Sequence, residues 1–204
     1  MRAATCSAAH ASAPPRGRIA VVGAGVAGVA AALALRRRGY DAVVYEAQRA
    51  ANCAHAGITL SSAALAALRR IDATVAEAVI AAGDVITTLV LRDLSGRPLA
   101  ETRVGAADEE PTLCLRWTEL WRILADALPV DALQFGHALE DFTDASAAPQ
   151  PNSAPVLAIF SHRETLGQAA VPAAALVGAD GVRSKVRAAR GAGRVSQGPH
   201  VCRG

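Results

Sequence analysis

Three glycines at fixed spacing, Gly23-Ala24-Gly25-Val26-Ala27-Gly28, constrain this chain more than any other feature, because of what flanks them. Before them, Arg18-Ile-Ala-Val-Val22 is a short apolar run that ends in glycine and reads as a buried strand. After them, Val26 to Arg38 is rich in Ala and Leu and reads as a helix. Its three closing arginines suit the negative end of a helix dipole, and Gly39 stands where a helix-ending glycine belongs. Ala42-Val-Val-Tyr-Glu46 is then a second strand that closes in an acid. Each glycine has a physical task in such a unit. Gly23 permits the tight strand-to-helix turn, Gly25 leaves room for a phosphate to approach the backbone, and Gly28 lets the helix lie close to the strand. The helix N-terminus offers unpaired N–H groups and a positive dipole end to an anion. Glu46 stands at the separation expected of an acid that accepts hydrogen bonds from ribose hydroxyls, where its charge would repel a 2′-phosphate. Ala24, Val26 and Ala27 within the turn, and Ala47 after the acid, belong to the same expected cofactor-binding set. The pattern predicts a βαβ nucleotide-binding unit and does not distinguish FAD from NAD.

The rest of the chain changes character twice. Ser61 and Ser62 cap a predicted helix through Arg70, and Asp72 caps another that Gly83 stops. Val85 to Asp93 and Leu99 to Val104 flank a Leu-Ser-Gly-Arg-Pro turn and predict a hairpin. Trp117 to Leu128 predicts a helix; Leu133 to Phe142, Val156 to Phe160 and Ala173 to Val177 predict strands. The order points to an α/β fold: a Rossmann-type FAD/NAD(P)-binding three-layer domain over 17–190, with a partial antiparallel sheet inserted at about 85–160. Residues 1–16, rich in Ala, Ser and Pro, are expected to be an unstructured extension, and 191–204 an unstructured tail. Of the residues, 52% are apolar but only 3% aromatic, so the core should be tight and thin, with backbones close together.

Several classes are excluded. A net charge of +3 without a basic stripe interleaved with aromatics does not predict a nucleic-acid binder. The six basic residues from Arg183 to Arg203 read as a solvated helix face and a loose tail. Cys6, Cys53, Cys114 and Cys202 form no Cys-x-x-Cys pair, which gives no metal site and suits free thiols in the cytoplasm. An Ala-Ser-Ala near the N-terminus mimics a signal-peptidase site, but no strongly apolar run precedes it. Ile19 to Leu35, the longest apolar run, is broken by glycines and is no membrane span. A short-chain dehydrogenase needs Tyr-x-x-x-Lys, and Tyr40, Tyr45 and the sole Lys185 cannot supply it. No Gly-x-Ser-x-Gly supports a serine hydrolase, and His162-Arg-Glu164 lacks the cysteine partners of a deaminase zinc.

A second specific segment, Leu176-Val-Gly-Ala-Asp180-Gly181-Val-Arg183-Ser-Lys-Val-Arg187, stands near the end. By itself Asp180-Gly181 reads as a turn whose Asp caps the next helix. Together with the glycine-rich unit it resembles the aromatic-ring hydroxylases, FAD-dependent monooxygenases of the 4-hydroxybenzoate hydroxylase type. Ala56-Gly57-Ile58 resembles that family's Gly-Ala-Gly-Ile stretch, with His55 at the first glycine, and Leu120-Trp-Arg-Ile-Leu124 resembles its Leu-x-x-x-Leu helix. The resemblance implies FAD at Gly23, Gly25, Gly28 and Glu46, and Asp180-Gly181 near the pyrophosphate and the path of NAD(P)H. It implies NAD(P)H- and oxygen-dependent hydroxylation of a small, aromatic substrate. The family's cofactor-reaching arginine falls at Trp117, so Arg116, one place earlier, is carried over instead. No catalytic side chain is assigned, since the cofactor carries the redox chemistry. The family pattern continues beyond Asp-Gly with a Gly-Asp motif that this sequence lacks, so the chain is expected to be truncated and to hydroxylate little. The alternative is a non-catalytic nucleotide-binding remnant of such an enzyme. Oligomeric state is not legible.

Overall fold

In the computed structural model, residues 16–51, 56–105, 110–144, 154–163 and 167–189 are described. The first half comprises β1 (Arg16–Val22), α1 (Val26–Arg37), β2 (Tyr40–Glu46), β3 (Gly57–Leu60), α2 (Ser62–Ile71), α3 (Ala73–Ala82), β4 (Asp84–Val85), β5 (Thr88–Arg92) and β6 (Pro98–Arg103). Then follow β7 (Leu113–Arg116), α4 (Trp117–Asp126), a 3₁₀ turn (Val130–Ala132), β8 (Leu133–Phe135), β9 (His137–Asp144), β10 (Val156–His162), β11 (Gln168–Ala173), β12 (Ala175–Gly178) and α5 (Lys185–Ala189).

Apolar runs without alternation belong to strands buried on both faces, and that is where β1 and β2 lie. They pair in parallel, Ile19 opposite Ala42 and Val22 opposite Tyr45, with α1 as the crossover between them. β12 adds in parallel to the far side of β1 and β8 to the far side of β2, giving the order β8-β2-β1-β12. Successive side chains of a strand point to opposite faces. Ile19, Val21, Ala42 and Val44 therefore pack under α1, α2, α3 and α4 in one core cluster. Ala20, Val22, Val43 and Tyr45 face the other way, onto the antiparallel sheet β11-β10-β9. The three layers are helices, parallel sheet and antiparallel sheet. Phe160 is fully buried between the two sheets and stacks on Tyr45, ring centroids 4.4 Å apart. Ala20, Ala32, Ala42, Ala76 and Ala158 are fully buried, so close backbone approach replaces bulk.

Local chemistry explains the helix starts. Ser61 Oγ accepts the Ala64 N–H at 3.3 Å, and Asp72 Oδ1 accepts those of Thr74 and Val75 at 2.9 and 3.2 Å. Burial alone would push the Asp72 carboxyl up; the two N–H groups and the Arg37 guanidinium outweigh it and hold the carboxyl below its ordinary value.

Three strand boundaries differ from the sequence reading. The run Leu133 to Phe142 is two strands in two sheets, broken at buried Gly136, whose φ of +75° a side chain would strain. Val85 belongs to β4 and pairs with Leu113 of β7, so the hairpin is only β5–β6. Ala173 and Ala175 lie in different sheets, because the chain passes from β11, antiparallel to β10, into β12, parallel to β1. The antiparallel strands from β3 onward thus divide into β3-β7-β4, the β5–β6 hairpin and the third-layer sheet β11-β10-β9. The hairpin stands out from the layers, with Leu89, Leu91 and Leu99 more than half exposed. Among the described residues no helix is long and apolar enough to cross a membrane. Cys114 is an exposed free thiol. Cys6, Cys53, Cys202, His55, Glu164, residues 1–15 and the tail 191–204 lie outside the described residues.

Candidate functional site

The glycine turn is built by close approaches that only glycine allows. Gly23 has φ +100°, and a Cβ there would stand 2.5 Å from the Ala179 carbonyl oxygen. A Cβ on Gly28 would stand 1.9 Å from the Gly23 oxygen, so the first turn of α1 rests directly on the turn. The Gly23 N–H donates to the Tyr45 carbonyl at 2.8 Å, and the Ala179 N–H to that of Val22, also at 2.8 Å. These bonds join the turn to β2 on one side and to the Asp180 segment on the other.

Gly25 is different. It is the N-cap of α1, no side chain caps that end, and the first helical turn holds no acid. A Cβ on Gly25 would meet nothing within 4 Å. Three of the other helix starts carry side-chain acceptors: Ser61, Asp72 and, for α5, Asp180 with Ser184. The open start of α1 leaves its first amides facing free space, which is the arrangement that takes a phosphate.

That space opens into a cavity of about 430 Å³ beside the ends of β1, β2 and β12 and the start of β9. Of the residues singled out in the sequence, it brings together Gly23, Gly25, Glu46, Ala47, Asp180 and Gly181. Ala24 lines a second cavity of about 170 Å³ on the side of α4, with Gly25 and Glu46, which border both cavities, and with Trp117, Trp121 and Phe135. Gly57 and Arg116 are cross-strand partners in β3 and β7 and line neither cavity. Val26, Ala27 and Gly28 form the first turn of α1.

Glu46 does two structural jobs. Its Oε2 accepts the Ala24 N–H at 2.8 Å, and its Oε1 accepts the Gln48 N–H at 2.9 Å. Each oxygen keeps a lone pair free for a further donor. Asp180 is also divided. Oδ2 accepts the Lys185 N–H at 2.6 Å and the Val186 N–H at 3.2 Å, capping α5. Oδ1 is buried and has no hydrogen-bond partner among the described residues. A buried acceptor without a donor costs about 1–3 kcal/mol, so a ligand hydroxyl at this point would relieve it. The open cradle at Gly25 and this orphaned oxygen fit a dinucleotide's phosphates and hydroxyls.

Sequence reasoning missed other walls of the larger cavity: Tyr45, Gln48, His137, Arg163 and Lys185. Burial pushes the Tyr45 phenol up, and His137 meets that ring edge-on at 5.8 Å. The His137 Nδ1 lies 2.9 Å from the Phe135 carbonyl oxygen, which fixes the ring. Lys185 reaches the Leu139 carbonyl and Glu140; the Ser161 hydroxyl, then Lys185, hold the Glu140 carboxyl below its ordinary value. Gln48, His137 and Arg163 carry no motif, and Tyr45 and Lys185 lie inside recognised segments without a role there; only the packing of the antiparallel sheet on β2 gathers them.

Known proteins resemble this chain over most of its length. Residues 16–201 match the family model of the FAD binding domain. The chain is 33% identical, over 175 residues, to the 3-amino-4-hydroxybenzoate 2-monooxygenase of Streptomyces cremeus, a match covering 83% of this chain and 41% of that enzyme. It is 36% identical, over 185 residues, to the chloroplastic zeaxanthin epoxidase of Oryza sativa subsp. japonica, covering 84% of this chain and 26% of the epoxidase. Among solved structures, the flavin-dependent monooxygenase PieE, in complex with FAD and substrate, superposes with a TM-score of 0.69 at 24% identity, over 87% of this chain and 32% of PieE. A variant of HpxO from Klebsiella pneumoniae complexed with FAD gives 0.65 at 21% identity, over 84% and 42%. These two likenesses show the fold. The chain spans about two-fifths or less of the length of the curated relatives.

Proposed function

The chain belongs to the FAD-binding domain family, among the flavin monooxygenases of the aromatic-hydroxylase type, and on that premise we propose that its glycine turn holds the adenosine diphosphate half of FAD. The observation that carries this is the open start of α1: Gly25 faces empty space, with no side-chain cap and no acid in the first turn. In this reading the amides of the first turn bind the pyrophosphate, and Glu46 accepts the ribose hydroxyls with the lone pairs that Ala24 and Gln48 leave free. Asp180 turns its unpartnered Oδ1 to a hydroxyl of the same molecule, and Gly181 lines the cavity beside it. Arg116 and Gly57 belong to a neighbouring part of the same site, on the paired ends of β7 and β3.

Bound FAD supplies the redox chemistry, reduction by NAD(P)H and transfer of oxygen to a small aromatic molecule; the chain's residues bind and orient it. The substrate class rests on relatives such as the aminohydroxybenzoate monooxygenase. A cytoplasmic location fits the exposed free thiol of Cys114. The test is calorimetric titration of the purified chain with ADP, FAD and FMN, with a visible spectrum of the FAD mixture. ADP and FAD should bind and FMN should not. No uptake of either adenine nucleotide would refute the proposal.

A further inference from the structure

Ala24 sits between two side chains that come from distant parts of the chain. Its N–H donates to Glu46 Oε2 at 2.8 Å, and its carbonyl accepts the Trp121 indole Nε1–H at 2.7 Å. Trp121 is 97 residues away in sequence and reaches the turn from α4, which packs against α1. The Ala24 side chain is itself buried. Both polar backbone groups of one turn residue are thus fixed by side chains, where a free loop would leave them to water.

We propose that Trp121 is a positioning residue for phosphate binding, setting the plane of the Ala24–Gly25 peptide. The described peptides are trans, so the carbonyl of Ala24 and the N–H of Gly25 point in opposite directions. An indole that holds the carbonyl toward α4 turns the Gly25 N–H to the other side, away from α4. No hydrogen bond within the described residues uses that N–H, and Gly25 borders both cavities, so the trans peptide is what directs the N–H to the side of the larger one. Trp121 shares the smaller cavity with Gly25 and Glu46, but its one donor, the indole N–H, is spent on the Ala24 carbonyl, so it acts on a phosphate through the peptide. A single peptide plane in a loop is otherwise free to rotate, and the indole removes that freedom before a ligand arrives. The inference rests on the reading that phosphates lie at this turn.

The test compares the parent chain with Trp121→Phe, which keeps an aromatic ring and removes the donor. ADP and adenosine are titrated into both by NMR, with thermal unfolding recorded in parallel. ADP affinity should fall about tenfold, the scale of one lost hydrogen bond, while adenosine affinity stays within about twofold. Equal ADP affinity in parent and variant overturns this inference and leaves the nucleotide reading standing. An equal fall for ADP and adenosine also overturns it, because that is general loss of structure. A parent that binds no ADP sinks the nucleotide reading and this inference with it. A second measurement does not need the variant to fold. The chain has only two tryptophans, so the parent shows two indole N–H signals. That of Trp121 should be protected from exchange and move on adding ADP but not adenosine; an unprotected, unmoved signal overturns the proposal.

Discussion

Gly25→Val separates binding from folding more cleanly than any other change in the turn. The residue lies at φ −68° and ψ 173°, extended backbone that valine adopts readily. Its Cβ would meet nothing within 4 Å. The folding cost is therefore limited to replacing glycine by a poor N-cap residue, about 1 kcal/mol or less. For a chain of this length that is a fall in Tm of roughly 2–4 °C. Binding is another matter. A phosphate oxygen must come within about 2.7–3.2 Å of the turn's amide nitrogens, and the branched side chain would stand in that volume. Losing two hydrogen bonds to a charged group, at about 1.5–3 kcal/mol each, weakens affinity by roughly a hundredfold or more. Gly28→Ala is the control of opposite sign. Its Cβ would stand 1.9 Å from a backbone oxygen, so α1 must move and folding itself should fail. The assay is ADP titration by calorimetry beside thermal unfolding followed by circular dichroism. A Gly25→Val chain that binds ADP within threefold of the parent would refute the reasoning, whatever its Tm.

Three other outcomes follow from particular contacts. Glu46 braces Ala24 as well as facing the ribose, so Glu46→Arg would confound charge with loss of the brace; Glu46→Gln keeps one carbonyl acceptor and removes the charge, and should narrow the preference for NAD over NADP by about tenfold in competition titrations, whereas an unaltered ratio would count against the ribose assignment. Asp72→Ala should cost about 1 kcal/mol through the lost cap of α3. The folded Asp72 carboxyl lies below its ordinary value, so its contribution is complete above about pH 4 and is lost as pH falls through the depressed value; the Tm difference between parent and variant should therefore be constant at neutral pH and close in acid. Leu91 and Leu99 on the exposed hairpin leave apolar surface bare, and replacing both with threonine should raise solubility, measured by concentration to precipitation, without lowering Tm.

The glycine unit was legible because everything that makes it is local: a buried strand, a turn and a helix written within about thirty residues. Helix starts at Ser61 and Asp72 were legible for the same reason. What escaped the sequence reading was non-local or compositionally quiet. Gln168-Ala-Ala-Val-Pro-Ala173 has little strand character, yet it is β11, an edge strand where Pro172 removes no needed donor. The break at Gly136 hides in a run that reads as one strand. The capping reading of Asp180 is present, since Oδ2 caps α5; the same residue lines the cavity and keeps a buried Oδ1 without a partner among the described residues, which the cap alone does not explain. The bond from Trp121 to Ala24 spans 97 residues and has no motif; only the packing of α4 on α1 creates it.

The central claim is that this chain grips FAD by its adenosine diphosphate half, through Gly25 and Glu46. The most direct measurement is displacement of FAD by ADP, followed as release of flavin fluorescence from the purified chain. ADP should displace FAD completely, at concentrations within about tenfold of the FAD affinity, and FMN should displace none. Displacement by FMN, or FAD that stays bound in saturating ADP, would contradict it.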